Sequence, residues 1–146
     1  MAGLFFLYCF SMTEIKPYIA DQDFHQVQEL YNSVNWLAYT KDSEKLYRAL
    51  ANSHLVLVAY SDQHIVGLVR CISDGEVICY IQDLLVTPSM QRKGIGRALL
   101  EELMSQTNVR QTVLMTDNEP RQKSFYESLG FRLIGDDLTG FVRLQR

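Results

Sequence analysis

The chain has 146 residues, of which 47% are hydrophobic and 11% aromatic, and this is sufficient for the core of a single domain. A formal net charge of −3 argues against a general nucleic-acid binder, which needs an excess of Lys and Arg. The three cysteines show no CxxC spacing, and the three histidines form no ligand-like pattern with them. We therefore expect a reduced, cytoplasmic protein that binds no metal.

The first eleven residues are largely apolar but do not resemble a targeting segment. They have no positively charged start, no small-residue cleavage site, and too few apolar residues to span a bilayer. We interpret residues 1–11 as an upstream extension, with translation naturally beginning at Met12, and residues 12–146 as a single domain. The alternative is that the extension adds an edge strand. No contact with a membrane is expected.

Hydrophobic periodicity predicts a strand and two helices at the start of the domain. The strand covers residues 15–19, and the first helix follows Asp21 and Asp23, which can cap it. The second helix begins at Ser43. Three β-rich runs come next, over residues 55–60, 65–71 and 77–86. Pro88 ends the last of these runs, because proline has no N–H to donate to a ladder.

The second half of the chain alternates between helical and β-type patterns. The predicted elements are a helix over 95–104, a strand over 112–115, a helix over 120–129 and β-type segments over 131–134 and 141–144. Strands thus occur both in hairpins and in βαβ crossovers. We expect an α/β fold with a mixed sheet of about six to seven strands, flanked by about four helices.

Residues 91–96, Gln-Arg-Lys-Gly-Ile-Gly, lie between a predicted strand and a predicted helix. Glycines let the backbone come close to a ligand, and a helix N-terminus directs unpaired N–H groups and the positive end of its dipole at one point. Such a point binds anions, most often phosphates. The segment therefore predicts a phosphate cradle, with a simple tight turn as the structural alternative.

Two other nucleotide-binding motifs fail on spacing. A Walker A loop needs Gly-x4-Gly-Lys-Ser/Thr, whereas Lys93 precedes both glycines and no Ser or Thr follows it. A Rossmann fingerprint needs a third glycine at the position of Leu99. The cradle therefore belongs to neither class.

The cradle, the strand over residues 81–86, Pro88 and the later segment Phe125-Tyr126-x-x-Leu129-Gly130-Phe131 together resemble the GNAT superfamily of acetyl-CoA-dependent N-acetyltransferases. The resemblance covers most of the chain after Met12 and includes the element order β-α-α-β-β-β-α-β-α-β-β. It implies a GNAT-type fold with acetyl-CoA in a cleft where the strand of residues 77–86 splays from that of residues 111–116.

The resemblance also implies which residues hold acetyl-CoA. Backbone groups of one strand would pair with the pantetheine arm, and the amides of residues 92–97 would hold the pyrophosphate. Glu119 stands where relatives often have an Asn that binds pantetheine, so Asn118 would replace it. The implied cofactor residues are Leu84, Leu85, Val86, Gln91, Arg92, Lys93, Gly94, Ile95, Gly96, Arg97, Asn118 and Tyr126.

The resemblance places Tyr126 at the position of the general acid that protonates the CoA sulfur. A phenol with a pKa of about 10 stays protonated at neutral pH. The alternative is a core aromatic beside Phe125. The resemblance further implies that the oxyanion of the reaction is stabilised by a backbone N–H, that of Leu85 or Val86.

The general base departs from the family pattern. Many relatives have Glu where this chain has Gln82, whose amide cannot accept a proton. We expect a water relay instead, with Asp83 as the second candidate; Glu76 and Tyr80 could also substitute. Alternation along the strand should place Asp83 on the face opposite Gln82, so that both cannot point into one cleft.

In this family the acceptor site is built from the first two helices, their connection and the last hairpin. These elements contain the aromatic residues Trp36, Tyr39, Tyr47 and Phe141 and the acidic Asp42 and Glu44, and such a lining suits a small arylalkylamine or polyamine. Packing of these aromatics against the sheet is the alternative.

Two functions follow from the resemblance. The first is transfer of acetyl from acetyl-CoA to a primary amine; the second, motivated by Gln82 and Glu119, is a non-catalytic acetyl-CoA sensor or interaction module. Homodimers are frequent in the superfamily, so we also expect a homodimer joined through the C-terminal strands.

Overall fold

The computed structural model describes residues 6–8, 11–135 and 137–145. The chain divides into two compact units, one ending at Leu114 and the other beginning at Met115. All of the described strands belong to the first unit.

The first unit is built on a six-stranded sheet in the order β1-β2-β3-β4-β5-β6. Neighbouring strands are antiparallel except for β5 and β6, which are parallel. The strands are β1 Phe6–Tyr8, β2 Ser11–Pro17, β3 Leu55–Ser61, β4 His64–Ser73, β5 Ile78–Val86 and β6 Gln111–Leu114. The α-helices are α1 Ala20–Ser33, α2 Leu37–Thr40, α3 Ser43–Ala51, α4 Ile95–Gln106 and, in the second unit, α5 Pro120–Ser128.

The predicted α/β fold with a mixed sheet is confirmed. Five described α-helices replace the expected four, because the four-residue α2 is too short to show a period. Strand β1 lies within residues 1–11 and pairs with β2, for example Phe6 with Thr13. For residues 6–8 the structure therefore shows the edge-strand alternative.

The two β-type segments predicted at the C-terminus are wrong. Residues 131–135 and 137–145 contain no strand. A strand forms only where a neighbour satisfies its backbone and one face is buried. Here Phe141 is 95% exposed, and the described residues of neither segment pair with a strand.

The predicted capping of α1 is partly wrong. The N-cap is Ile19, which makes no side-chain capping bond, and Asp21 is exposed. Asp23 instead reaches back from inside the helix, where its Oδ2 accepts the N–H of Ile19 at 2.8 Å. The hydroxyl of Tyr60 donates to the other oxygen of the buried Asp23 carboxylate. The start of α1 is therefore anchored to β3.

Helices cover both faces of the sheet. On one face, α1 and α3 share a buried cluster with the central strands, consisting of Val27, Leu30, Tyr31, Leu46, Leu50, Val56, Val58, Ile65, Leu68 and Leu85. On the other face, α4 packs over Gly67, whose neighbour Leu68 points to the first face. A Cβ on Gly67 would lie 3.0 Å from Leu99 Cδ1, so α4 packs closely against β4 at this glycine.

None of the helices in the described ranges combines the length and the hydropathy needed to cross a bilayer.

Candidate active site

The predicted phosphate cradle lies at the N-terminus of α4. Gly94 is the N-cap at φ +83°, a left-handed conformation that glycine adopts at little cost. The first hydrogen bond of the helix runs from Ala98 N–H to Gly94 O at 3.0 Å. The N–H groups of residues 95–97 therefore precede the helical ladder and point outward at its positive end.

Polar side chains surround this helix N-terminus. Arg92 and Lys93 are exposed, and Arg97 forms a 3.3 Å ion pair with Glu101. Gln91 Nε2 donates to Val86 O at 2.9 Å and so ties the loop to the end of β5. An ideal Cβ on Gly94 would meet no atom within 4 Å, so the space beside the loop is open. The site can accept an anion such as a pyrophosphate.

One edge of β5 opens beside this loop. The parallel ladder with β6 ends at the pair Ile81 and Leu114, whereas the ladder with β4 continues to Val86. Over residues 82–86 the second edge of β5 therefore has no strand partner in the described part of the chain. An extended ligand can add to such an edge as a further strand.

Backbone alternation shows which groups face the open edge. Thr87 N–H donates to Val66 O at 2.8 Å, so Thr87 and, two residues earlier, Leu85 turn their backbone groups toward β4. Leu84 and Val86 turn theirs to the open edge. Val86 O already accepts from Gln91, so the N–H of Val86 and both backbone groups of Leu84 remain at that edge.

The expected separation of Gln82 and Asp83 is wrong. The β4–β5 register shifts between the pairs Arg70–Asp83 and Cys71–Ile81, which leaves Gln82 as the extra residue of a bulge. Gln82 Nε2 donates to the Tyr39 hydroxyl at 3.0 Å, and that hydroxyl donates to Asp83 Oδ1 at 2.8 Å. One tyrosine thus joins both side chains, because the bulge interrupts the alternation.

Asp83 lies in a buried network and is only 2% exposed. Its Oδ2 accepts from Arg70 Nε at 2.6 Å and from the Tyr31 hydroxyl at 2.8 Å. Both carboxylate oxygens are therefore engaged. Burial, together with the charge of Asp83, raises the pKa of Tyr31 and of Tyr39, so both phenols remain protonated donors.

Arg70 stays charged within this network. Burial alone would lower its pKa, but the adjacent Asp83 carboxylate, aided by Tyr31, outweighs that effect and raises it. Arg70 Nη1 also donates to Ser53 Oγ at 3.2 Å. The ion pair is therefore neutral overall and hydrogen-bonded at both ends, as burial requires.

The two predicted acceptor residues lie together beside this network. The Tyr39 ring lies 5.0 Å from that of Tyr31 and 6.1 Å from that of Trp36, which is 37% exposed. Arg70 lies over the Tyr39 ring, 5.9 Å from its centroid. The result is a half-exposed aromatic surface beside Gln82, on the face of the sheet that α1 and α3 cover.

The second unit contains the predicted general acid. Tyr126 lies on α5, with its ring 5.0 Å from Phe125 and 5.8 Å from Phe131. Burial raises the pKa of Tyr126, so its phenol is protonated at neutral pH. These contacts are compatible both with a proton donor and with a core aromatic. Asn118 and Glu119 are exposed just before the helix.

Arg70, Tyr31 and Gly67 were not recognised in the sequence as important residues. Arg70 did leave a signal, since it is a single charge in the apolar run from Ile65 to Cys71. A charge buried in such a strand requires a partner. The next strand, β5, contains one acidic residue, Asp83. Among the described residues, no group of His, Cys, Asp or Glu side chains could hold a metal ion.

This arrangement, an α/β sheet with a strand edge open beside a glycine-capped helix N-terminus, matches a known class of acetyltransferases. A family model described as the acetyltransferase (GNAT) domain matches residues 20–140. The chain belongs to the GNAT family, whose members are acyltransferases, and the predicted resemblance is confirmed.

Similar proteins include plant relatives. Histone acetyltransferase TAP1 of Glycine max is 29% identical over 134 residues, covering 82% of this chain and 56% of the relative. Serotonin N-acetyltransferase 2, chloroplastic, of Oryza sativa subsp. japonica is 33% identical over 109 residues, covering 70% of this chain and 54% of the relative. The chain thus spans about half the length of these relatives.

Among solved structures, the GNAT family protein SP0256 from Streptococcus pneumoniae TIGR4 is similar over its whole length. It is 30% identical, with a TM-score of 0.79, and the alignment covers 93% of this chain and 98% of that one.

Proposed function

We propose that the protein transfers an acetyl group from acetyl-CoA to a small primary amine. The observation that supports this most directly is the open edge of β5 over residues 82–86, which is separated from the N-terminus of α4 only by a short loop. A pantetheine arm can pair with this edge while the pyrophosphate reaches the helix N-terminus. The distance along the chain between the two sites is set by the turn over Pro88–Met90.

The donor site would use mainly backbone groups. Leu84 and Val86 present theirs to the pantetheine arm, and Leu85 fills the strand position between them. The loop amides, including those of Ile95 and Gly96, would hold the pyrophosphate, with positive charge from Arg92, Lys93 and Arg97. Gln91 holds the loop to β5, and Asn118 would contact the pantetheine. Acetyl-CoA supplies an activated thioester; the residues of this chain bind and orient it.

In the reaction itself, the Val86 N–H would stabilise the oxyanion that forms as the amine attacks the thioester carbonyl. Tyr126 would donate its phenolic proton to the departing thiolate. The support for Tyr126 is its family position, and its phenol carries a proton to donate at neutral pH.

We infer that a water relay removes the proton from the amine. Asp83 is less suited to this task, because it is buried in an ion pair with Arg70 and both of its oxygens already accept hydrogen bonds. Gln82 cannot accept a proton. Neither of these two side chains therefore suits the base, and a water relay is the proposed alternative.

The acceptor would be a small arylalkylamine. Its ring could stack on the half-exposed surface of Trp36 and Tyr39. One relative is named for histone and another for serotonin, so protein and small-molecule amines are both represented among similar proteins. The aromatic surface favours the small amine. A homodimer and a cytoplasmic location stay predictions.

The second candidate function is an acetyl-CoA-binding module without activity. Gln82, which stands where many relatives have Glu, favours it. Release of free thiol from acetyl-CoA separates the two functions, measured with tryptamine, spermidine and a lysine-containing peptide. We expect turnover with tryptamine, and a loss in kcat of about 100-fold or more in Tyr126→Phe. Binding of coenzyme A without thiol release above that of Tyr126→Phe would establish the module instead.

The variant Gly96→Ala tests the proposed phosphate cradle separately. A Cβ at Gly96, in the first turn of α4, would displace a phosphate from the amides, so we expect the KM for acetyl-CoA to rise. The protein itself should be as stable or slightly more so, because alanine favours a helix by about 0.5–1 kcal/mol over glycine. Calorimetric titration with acetyl-CoA measures the first effect and thermal unfolding the second. Equal affinity of Gly96→Ala and wild type would contradict the cradle.

A further inference from the structure

The side chain of Gln82 is held by its amide nitrogen. Nε2 donates to the Tyr39 hydroxyl at 3.0 Å, and that hydroxyl donates its own proton to Asp83 Oδ1 at 2.8 Å. Asp83 is a buried carboxylate paired with Arg70 at 2.6 Å, so it only accepts hydrogen bonds. The proton of Tyr39 is therefore committed to Asp83, and the Tyr39 oxygen accepts from Gln82.

This chain of hydrogen bonds decides which end of the Gln82 amide faces away from Tyr39. A glutamine amide has two kinds of end, an NH2 group that donates and a carbonyl oxygen that accepts. If the carbonyl oxygen were turned to Tyr39, two acceptors would face each other with no proton between them. The NH2 group therefore lies against Tyr39, and the oxygen Oε1 lies on the other side of the amide.

Oε1 of Gln82 is open to a ligand. Gln82 is exposed, and no residue in the described part of the chain donates to this oxygen. Gln82 also follows the last pair of the β5–β6 ladder, Ile81 with Leu114, so it stands at the start of the open edge of β5. Its partner Tyr39 belongs to the aromatic surface that includes the exposed ring of Trp36. An oriented acceptor thus lies beside both the open edge and that surface.

We propose that Gln82 Oε1 accepts a hydrogen bond from the N–H of the attacking amine, which must be neutral when it attacks. This rests on the proposed function and adds to it the residue that holds the amine and the form in which the amine reacts. An amine held by one N–H keeps its lone pair free for the thioester carbonyl. The C–N bond forms and the C–S bond breaks; the surplus proton on nitrogen leaves through the relay water, and the thiolate takes a proton from Tyr126.

The surroundings of Gln82 explain why the amine must be neutral. An amide oxygen accepts hydrogen bonds but does not take up a proton at neutral pH. The charged and titratable groups of the network that holds it come from α1, α2, β4 and β5, and they are Tyr31, Tyr39, Arg70 and Asp83. Both phenols donate to Asp83, and Arg70 neutralises its charge. None of these four groups is available to deprotonate an ammonium ion.

The pH dependence of the wild type tests the form in which the amine reacts. Tryptamine, like the lysine side chain, is largely protonated at neutral pH, so its kcat/KM should rise about tenfold per pH unit between pH 6.5 and 8.5. Indole-3-acetohydrazide is the control, because it keeps the indole ring and its terminal nitrogen is neutral throughout this range. Its kcat/KM should stay flat. A tryptamine profile as flat as that of the hydrazide would reveal a base in the site and overturn the proposal.

The contact itself is tested by Gln82→Met, which keeps the length of the side chain but removes the amide. We expect kcat/KM for tryptamine to fall by about 3-fold to 10-fold, as for one lost hydrogen bond, with the KM for acetyl-CoA unchanged. Gln106→Met, at an exposed position at the end of α4, is the matched control. Wild-type kcat/KM in Gln82→Met would overturn the proposal.

Tyr39 is a positioning residue in this scheme, and a double-mutant cycle tests that role. In Tyr39→Phe the amide of Gln82 is no longer anchored, so we expect a smaller loss of kcat/KM for tryptamine than in Gln82→Met. The double variant should lose no more than Gln82→Met alone, because Tyr39 acts only through the amide. Losses that simply add would show that the Tyr39 hydroxyl does not act through Gln82 and would overturn the anchoring argument.

A binding measurement removes the dependence on turnover. Tryptamine and 3-propylindole, in which a methyl group replaces the amine, are titrated into the protein saturated with coenzyme A. Gln82→Met should weaken the binding of tryptamine and leave that of 3-propylindole unchanged. Equal weakening of both ligands would overturn this inference alone. Absence of thiol release by the wild type with every amine would overturn the proposed function, and this inference with it.

Discussion

At the scale of single residues, Asp83 illustrates how contacts set the role of a charged group. The carboxylate accepts three hydrogen bonds, from Arg70, Tyr31 and Tyr39, and it is almost entirely removed from solvent. Such a group stabilises the fold as long as the whole network is present. Removing one charge leaves the other buried and unpaired, which costs far more than the pair contributes.

Asp83→Asn should therefore destabilise the protein strongly. We expect the free energy of unfolding to fall by about 3–5 kcal/mol, because the buried Arg70 loses its counter-charge. Urea denaturation measures this, with Asp117→Asn at an exposed position as the control. A variant that lost kcat but kept its full unfolding free energy would instead identify Asp83 as the general base.

At the scale of elements, the approach of α4 to the sheet determines where the helix N-terminus lies. An added Cβ on Gly67 would lie 3.0 Å from Leu99 Cδ1, 3.2 Å from Ile95 Cγ2 and 3.3 Å from Leu85 O. Ile95 is the first residue of α4, so this contact is next to the cradle. The close packing around Gly67 therefore lies directly beside the first turn of α4.

Gly67→Ala tests this packing. The extra methyl group should overpack the layer between β4 and α4 and lower the free energy of unfolding by about 1–3 kcal/mol. If the strain is relieved by a shift of α4, the affinity for acetyl-CoA should fall as well. Gly140→Ala is the control, since a Cβ there meets no atom within 4 Å. Unchanged stability of Gly67→Ala would contradict this prediction and mean that the neighbouring atoms make room for the methyl group without cost.

At the scale of the whole molecule, buried weak acids make the fold sensitive to alkaline pH. Burial and then the neighbouring Cys79 raise the pKa of Cys71 from 9.0 to about 12. Burial and then the hydrogen bond to Asp23 raise the pKa of Tyr60 from 10.0 to about 12. Between these values the folded chain keeps protons that the unfolded chain has released, so raising the pH favours unfolding.

We therefore expect the free energy of unfolding contributed by these groups to be fully present below pH 9 and to be lost progressively as the pH rises to 12. Urea denaturation at a series of pH values from 8 to 12 measures the slope. The slope should be smaller in Tyr60→Phe, which removes one of the titrating groups. A free energy of unfolding that stays constant over this range would contradict the prediction.

The sequence by itself determined the family and most helices and strands of the first unit, though not α2 or β1, and it predicted the glycine at the start of α4. Hydrophobic periodicity acts locally, and so do residues that mark the ends of elements, such as Pro88 after β5 and Gly94 before α4. These signals are therefore visible in the sequence without any knowledge of the fold. The same local rules failed for residues 131–134 and 141–144. Apolar, β-type composition does not say whether a partner strand is present.

Only the tertiary structure decided the chemistry around Asp83. A bulge at Gln82 interrupts the alternation on which the sequence argument relied, and it lets Tyr39 bind both side chains. Arg70, thirteen residues earlier in the chain, becomes the counter-charge of Asp83 only when β4 and β5 pair. Registers, bulges and buried ion pairs depend on contacts between segments far apart in sequence, and local patterns do not encode those contacts.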